Sequence, residues 1–111
     1  MRQIRTSQQA IDRIRAGDKT LDVQLAVPAF ANVHAGEIIE LHSTNDVLQA
    51  VVAAVRRYDT FNGMVAEEDM QSLVGSDTKA DINTLFHSLY SGHRETHSLL
   101  VMELSGSQAK V

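Results

Sequence analysis

Lys19, Asp22 and Gln24 bring an ammonium, a carboxylate and a carboxamide together within a short stretch of chain. In an extended segment side chains alternate, so Thr20, Asp22 and Gln24 share one face while Leu21, Val23 and Leu25 share the other. Gly17, just upstream, frees the backbone where a helix stops and this strand begins. A lysine at the mouth of such a strand, with a carboxylate and an amide along it, can line a small polar cleft. The same spacing also describes an ordinary half-solvated strand. A neighbouring carboxylate raises a lysine's pKa and the lysine lowers the carboxylate's, whereas burial does the reverse to both. A pair of this kind can act as general base and electrostatic clamp in acyl transfer. Glu67 or Glu68, in the acidic run Glu67-Glu68-Asp69, would complete a proton-transfer constellation if the fold carried it to Lys19. Otherwise that run is a solvated loop.

Other chemistries find less support. The five histidines are His34, His42, His87, His93 and His97. His93 and His97 have the four-residue spacing that pairs metal ligands on a helix, with Glu95 between them. They follow Gly92, past the end of the last expected helix, and no glutamate directly follows His93 as a metalloprotease motif requires. Neither metal nor cofactor is therefore expected. The chain has no cysteine, which excludes disulfides, thiolate catalysis and cysteine-held zinc. It has no nucleophile elbow, phosphate-binding glycine loop or dinucleotide fingerprint. Its three phenylalanines and two tyrosines are scattered, so no aromatic ladder for RNA is present.

The elements that must position these groups are legible in outline. With 111 residues, 43% hydrophobic and 22% charged, the chain predicts one globular domain, residues 1–105, and a C-terminal tail, residues 106–111. No apolar run is long enough to span a bilayer, and the chain turns polar directly after Met1, so no membrane association is expected and a cytoplasmic location is the default. The net charge of -4 argues against broad electrostatic capture of nucleic acid. The charge is uneven, however: residues 1–19 are rich in arginine and residues 59–83 in aspartate and glutamate, so a local basic face is compatible with an acidic protein.

Thr6 and Gln9 read as a capping box for a helix that buries Ala10, Ile11 and Ile14 and ends at Gly17. Pro28 suits the start of a short helical turn, and Gly36 opens a strand running to His42. Residues 47–57 are ambiguous. Val47, Val51, Val52 and Val55 fit a helical stripe, whereas Val47, Gln49, Val51, Ala53 and Val55 fit one face of a strand. Thr60 precedes a short helix from Phe61 to about Ala66. Thr78 precedes the clearest helix, whose stripe is Ile82, Leu85, Phe86, Leu89 and Tyr90, and Ser98 to Leu104 is an apolar closing strand.

Set in this order, the motifs resemble those of the ASCH domain family, named for activating signal cointegrator 1 homology, in its small stand-alone form. Gly17-x-Lys19-x-x-Asp22-x-Gln24 is similar to the family's G-x-K-x-x-E-x-R signature. Val27-Pro28, Gly36-Glu37-Ile38-Ile39, Arg57-Tyr58-Asp59-Thr60-Phe61, Phe86-His87-Ser88-Leu89-Tyr90 and the strand Ser98 to Leu104 follow as the family's later motifs do. The resemblance covers about residues 2–104. It implies an α+β, PUA-like small β-barrel with flanking helices, and it makes residues 47–57 a strand. It also implies a cleft beside the signature strand that receives RNA or a modified nucleoside, with Lys19, Thr20, Asp22, Gln24 and Glu68 as ligand-binding residues. Some small members are amidohydrolases that deacetylate N4-acetylcytidine. By position, Lys19, Asp22 and Glu68, or Glu67 one step away, would be the catalytic residues of such an enzyme. Two departures stand out. Gln24 replaces the signature arginine, so a planar cation is lost, and Asp22 offers no hydroxyl where the amidohydrolases have threonine. An ASCH domain that keeps the fold and has lost its ligand is the third expectation.

Overall fold

A computed structural model describes residues 2–30, 32–76, 79–90 and 98–105, without the side chain of Ala29. Thr78, His93, His97 and the tail 106–111 lie outside the described residues. The elements are β1 (Arg2–Arg5), α1 (Gln8–Ala16), β2 (Leu21–Leu25), a 3-10 turn (Pro28–Phe30), β3 (Ile38–His42), β4 (Val47–Tyr58), α2 (Phe61–Glu67), α3 (Met70–Val74), α4 (Lys79–Tyr90) and β5 (Leu99–Ser105). The five strands form one curled sheet in the order β1-β3-β4-β5-β2, a half-barrel whose two edges are β1 and β2. Only β1 and β3 run parallel; every other pair is antiparallel. The α+β, PUA-like expectation is met.

The sheet separates two apolar cores. One packs α1 through Ile11 and Ile14 against Ile39, Leu41, Leu48, Val52, Leu100 and Met102. The other packs α2, α3 and α4 through Phe61, Met64, Leu73 and Tyr90 against Leu21, Val23, Leu99 and Val101. The stripe expected on α4 faces this second core, where Phe86 meets Phe61 edge-on at a centroid distance of 5.0 Å. Burial of this kind on both faces is worth about 1.5–3 kcal/mol for each large side chain. That is why a β5 reading Leu-Leu-Val-Met-Glu-Leu is apolar at nearly every position instead of alternating.

β4 is a strand of twelve residues, but its buried face differs from the one its valines advertise. Leu48, Ala50 and Val52 are buried, while Val47 is 49% exposed. Beyond Val52 the register against β5 slips by one residue at Ala53, a β-bulge. The bulge reverses the parity, so Val55 rejoins the α1 core and Arg56 turns to the other face. A pattern that changes phase midway fits neither an uninterrupted strand nor a helix, which accounts for the ambiguity of this segment.

The cap of α1 also differs from expectation. Ser7, not Thr6, is the N-cap, its Oγ accepting from the backbone N–H of Ala10 at 3.1 Å. Thr6 is held one residue earlier by its own N–H, which donates to the His42 carbonyl at 2.8 Å. Gly17 closes the helix as expected, with φ of 86°. Arg15 from α1 then grips Asp46 in the β3–β4 turn at 2.8 Å, fixing the helix across the sheet.

Candidate ligand-binding cavity

The chain leaving Gly17 is tied down before β2 begins. The N–H groups of Asp18 and Lys19 both donate to the Arg13 carbonyl, at 2.9 and 3.1 Å. Thr20 N–H donates to the Ser72 carbonyl of α3 at 3.0 Å, and the Lys19 ammonium donates to the next carbonyl, Leu73. Lys19 is thereby drawn inward and is only 6% exposed. Arg13 seats the other side of this corner. Its guanidinium donates to the Val74 carbonyl at 2.7 Å and approaches Asp81 at 3.4 Å. Gly75 is required there, because a Cβ at that position would stand 2.6 Å from Arg13 Cδ.

Along edge strand β2 a cavity of about 460 Å³ opens between α1 on one side and α3 and α4 on the other. Lys19, Asp22 and Gln24 line it, with Leu73, Val74, Leu85 and Leu89 as apolar wall and Arg5 and Arg13 on the α1 side. The strand register explains the placement. Asp22 pairs with Met102 and Gln24 with Leu100, two residues of the α1 core, so both polar side chains project to the α1 side of the sheet. Gln24 Nε2 donates to Asp22 Oδ2 at 2.9 Å, which leaves the second carboxylate oxygen and the amide oxygen for other partners.

Burial dominates the electrostatics. Asp22, 4% exposed, is raised above the usual carboxylate range, first by loss of water and against the pull of Lys19 and Gln24. Lys19 is lowered from its ordinary value, also first by burial, with Asp22 opposing and Arg13 assisting. No direct ion pair joins Lys19 to Asp22. A buried cation and a buried carboxylate therefore share one cavity wall.

The remaining expected site residues lie elsewhere. Thr20 is exposed and does not line the cavity, although it has the parity of Asp22, because it precedes β2 and its backbone is bound to α3. Glu67 is exposed at the end of α2. Glu68 is taken up by other partners. Arg56 grips it through Nε and Nη2 at 2.6 and 2.9 Å, and the Tyr58 hydroxyl donates to it at 2.5 Å. Arg56 also reaches Glu103 at 3.1 Å. Arg56 pairs with Val101, which pairs with Val23, so this cluster stands on the α4 side of the sheet, opposite Asp22. Lys19 and Asp22 line one cavity, and Glu68 stands on the other side of the sheet. Arg5 and Arg13 are cavity residues that the sequence reading passed over. The arginine-rich first nineteen residues were their signal. Among the described residues no cluster of potential metal ligands occurs, and no helix is long and apolar enough to cross a membrane.

A half-barrel of this strand order with helices on both faces is an α+β fold consistent with a PUA-like small barrel. Among solved structures it is similar to ASCH from Zymomonas mobilis, with a TM-score of 0.65 at 13% identity over 94% of this chain and 66% of that one. It is also similar to the hypothetical protein PH0355, with a TM-score of 0.78 at 17% identity over 93% and 95% of the two chains. The Pyrococcus furiosus protein PF0455 gives a TM-score of 0.69 at 15% identity over 97% of each chain. These likenesses establish a shared fold, in agreement with the ASCH resemblance of the sequence. No family model and no curated protein matches the chain.

Proposed function

We propose that the cavity binds a nucleobase by its polar edge, as a nucleoside or within single-stranded RNA. The observation that carries this reading is the Asp22–Gln24 pair, joined at 2.9 Å on the wall of a cavity shared with buried Lys19. Asp22 would accept from an exocyclic amine. Gln24 and Lys19 would donate to a ring nitrogen or carbonyl beside it. Leu73, Leu85 and Leu89 supply apolar surface for the flat face of a base. The volume of about 460 Å³ is within the range of small-molecule sites. The ASCH-type fold supports the same class of ligand.

Calorimetric titration with cytidine and uridine tests this. Cytidine should bind and uridine should bind at least tenfold more weakly, about 1.4 kcal/mol, because its carbonyl would face the Asp22 carboxylate where cytidine has an amine. Equal binding of the two removes the proposed edge contact.

Lys19 favours a second reading, an amidohydrolase acting on N4-acetylcytidine or a related amide. A buried ammonium is suited to polarise an acyl oxygen as it gains charge. Water would attack the acetyl carbon, the C–N bond would break, and acetate and cytidine would leave. With Glu68 occupied by Arg56, Asp22 is the carboxylate that would pass the water's proton to the leaving amine. Chromatography of N4-acetylcytidine reactions, with Lys19→Ala, Asp22→Ala and Glu68→Ala alongside, checks this. No turnover by the parent at high enzyme concentration eliminates it.

A further inference from the structure

The cavity wall carries a cation whose side chain has no partner among the described residues. Lys19 is committed to the Leu73 carbonyl and faces Asp22, and Arg13 is committed to the Val74 carbonyl and Asp81. Arg5 also lines the cavity, yet it is exposed and its side chain makes no hydrogen bond or ion pair among the described residues. It ends β1, the other edge of the half-barrel, at the rim reached from β2 across the start of α1. Thr6, next in the chain, also lines the cavity, and its hydroxyl has no partner among the described residues. Among the described residues the wall therefore carries three cations, Arg5, Arg13 and Lys19, against two carboxylates, Asp22 and Asp81. Of the three cations Arg5 is the exposed one.

We infer that Arg5 is a phosphate seat at the cavity rim, so that the ligand is a phosphorylated nucleotide unit and not a bare nucleoside. This rests on the nucleobase reading above and extends it. A guanidinium with all its N–H groups free offers the forked geometry that phosphate oxygens accept. The base would lie deep, against Asp22 and Gln24, and the phosphate would remain in the wetter mouth, where an anion keeps part of its hydration. Arg5 thus supplies, from the opposite edge of the sheet, a planar cation of the kind missing at Gln24. Its source is either the monoester of a free nucleotide or the diester of an RNA strand.

The test uses the whole chain and calorimetry at low and moderate salt. Cytidine 5′-monophosphate, cytidine 3′-monophosphate and the dinucleotide CpC are compared with cytidine, and ribose 5-phosphate serves as a ligand without a base. At least one phosphorylated ligand should bind about tenfold more tightly than cytidine, with the advantage shrinking as salt rises. Arg5→Gln should bring that ligand down to the affinity of cytidine, while Arg5→Lys should keep part of the advantage. Preference for a monophosphate indicates a free nucleotide, and preference for CpC indicates a strand. Equal affinity of cytidine and every phosphorylated ligand in the parent overturns the inference, as does an advantage that survives in Arg5→Gln. If no cytidine binds, the nucleobase reading fails. Ribose 5-phosphate then decides the phosphate seat: binding that Arg5→Gln abolishes supports it, and no binding overturns it.

Discussion

The two faces of the sheet each carry a cluster of cations and carboxylates, and they differ in how much of their bonding capacity the fold consumes. On the α4 side Arg56, Glu68, Tyr58 and Glu103 are bonded to one another, and Glu68 accepts three short hydrogen bonds. Its pKa is lowered, first by the Arg56 hydrogen bond, so it is a settled carboxylate. On the α1 side Asp22 has one partner, Gln24, and its pKa is raised by burial. The first cluster pins the α2–α3 corner to β4 and β5. The second keeps polar atoms uncommitted on the wall of a cavity. A carboxylate beside a cation is therefore weak evidence of a site by itself; unfilled bonding capacity facing a cavity is stronger evidence.

The division between the faces depends on the phase that the bulge at Ala53 gives to the end of β4, so the largest effect should come from shifting that phase by one residue. Deleting Ala53 and Ala54 together sets Val55 opposite Glu103 and Arg56 opposite Met102, which drives Arg56 into the α1 core and Val55 out of it. An unpaired guanidinium in that core costs as much as a small domain's whole stability, about 5–15 kcal/mol. The deletion variant should lack a cooperative melting transition. A normally folded variant would show that the two faces are not set by that phase.

Single and double changes at Lys19 and Asp22 should follow in size. Lys19→Met leaves a buried carboxylate without its cation and should cost about 2–3 kcal/mol in urea unfolding, part being recovered by protonation of Asp22. Lys19→Met with Asp22→Leu should return to near the parent's stability and bind no nucleoside. Such a recovery separates a group kept for binding from one kept for folding. Glu68→Gln should behave oppositely. It should cost about 1–2 kcal/mol, because Arg56 retains Glu103, and should change nucleoside affinity less than twofold. A folded Glu68→Gln protein that has lost binding would join the two clusters into one site.

The smallest difference is in pH dependence, where the clusters have opposite signs. Glu68 has a lowered pKa, so its contribution is present above the ordinary glutamate value, roughly 4.3, and is lost as pH falls below it. Asp22 has a raised pKa, so its contribution is present below the ordinary aspartate value, roughly 3.9, and is lost as pH rises through the higher folded value. Stability measured against pH should show a shallower acid limb in Glu68→Gln, and Asp22→Asn should remove a loss on the alkaline side of that limb. The reverse assignment would contradict the burial argument.

Much of the fold was legible because it rests on local signals. Gly17 ends α1, the stripe on α4 faces the core, and the order of motifs gave the ASCH-type sheet with residues 47–57 as a strand. The parity of β4 was not legible, since a bulge is a property of pairing with β5 and its only local trace is valines that change phase. Ser7 displaced Thr6 as the cap because Thr6 is held by β3, a contact far away in the chain. In the site, Lys19, Asp22 and Gln24 could be seen together because they are close in the sequence, Lys19 just before β2 and the other two on it. Glu68 could not be placed. Which side of the sheet it would face depended on Arg56, whose own direction the bulge reverses. Arg5 and Arg13 showed only as charge in the first nineteen residues, and folding brought them to the cavity.

The central claim is that ligand recognition belongs to the α1 side at the β2 edge and not to the Glu68 cluster. Titrating the isotope-labelled protein with cytidine 5′-monophosphate and following amide chemical shifts tests it most directly. The account predicts that Lys19, Asp22, Gln24 and neighbouring residues of α1 shift together and saturably, while Arg56, Tyr58 and Glu68 stay in place. Shifts centred on Arg56, Tyr58 and Glu68, with Asp22 and Gln24 unmoved, would contradict it.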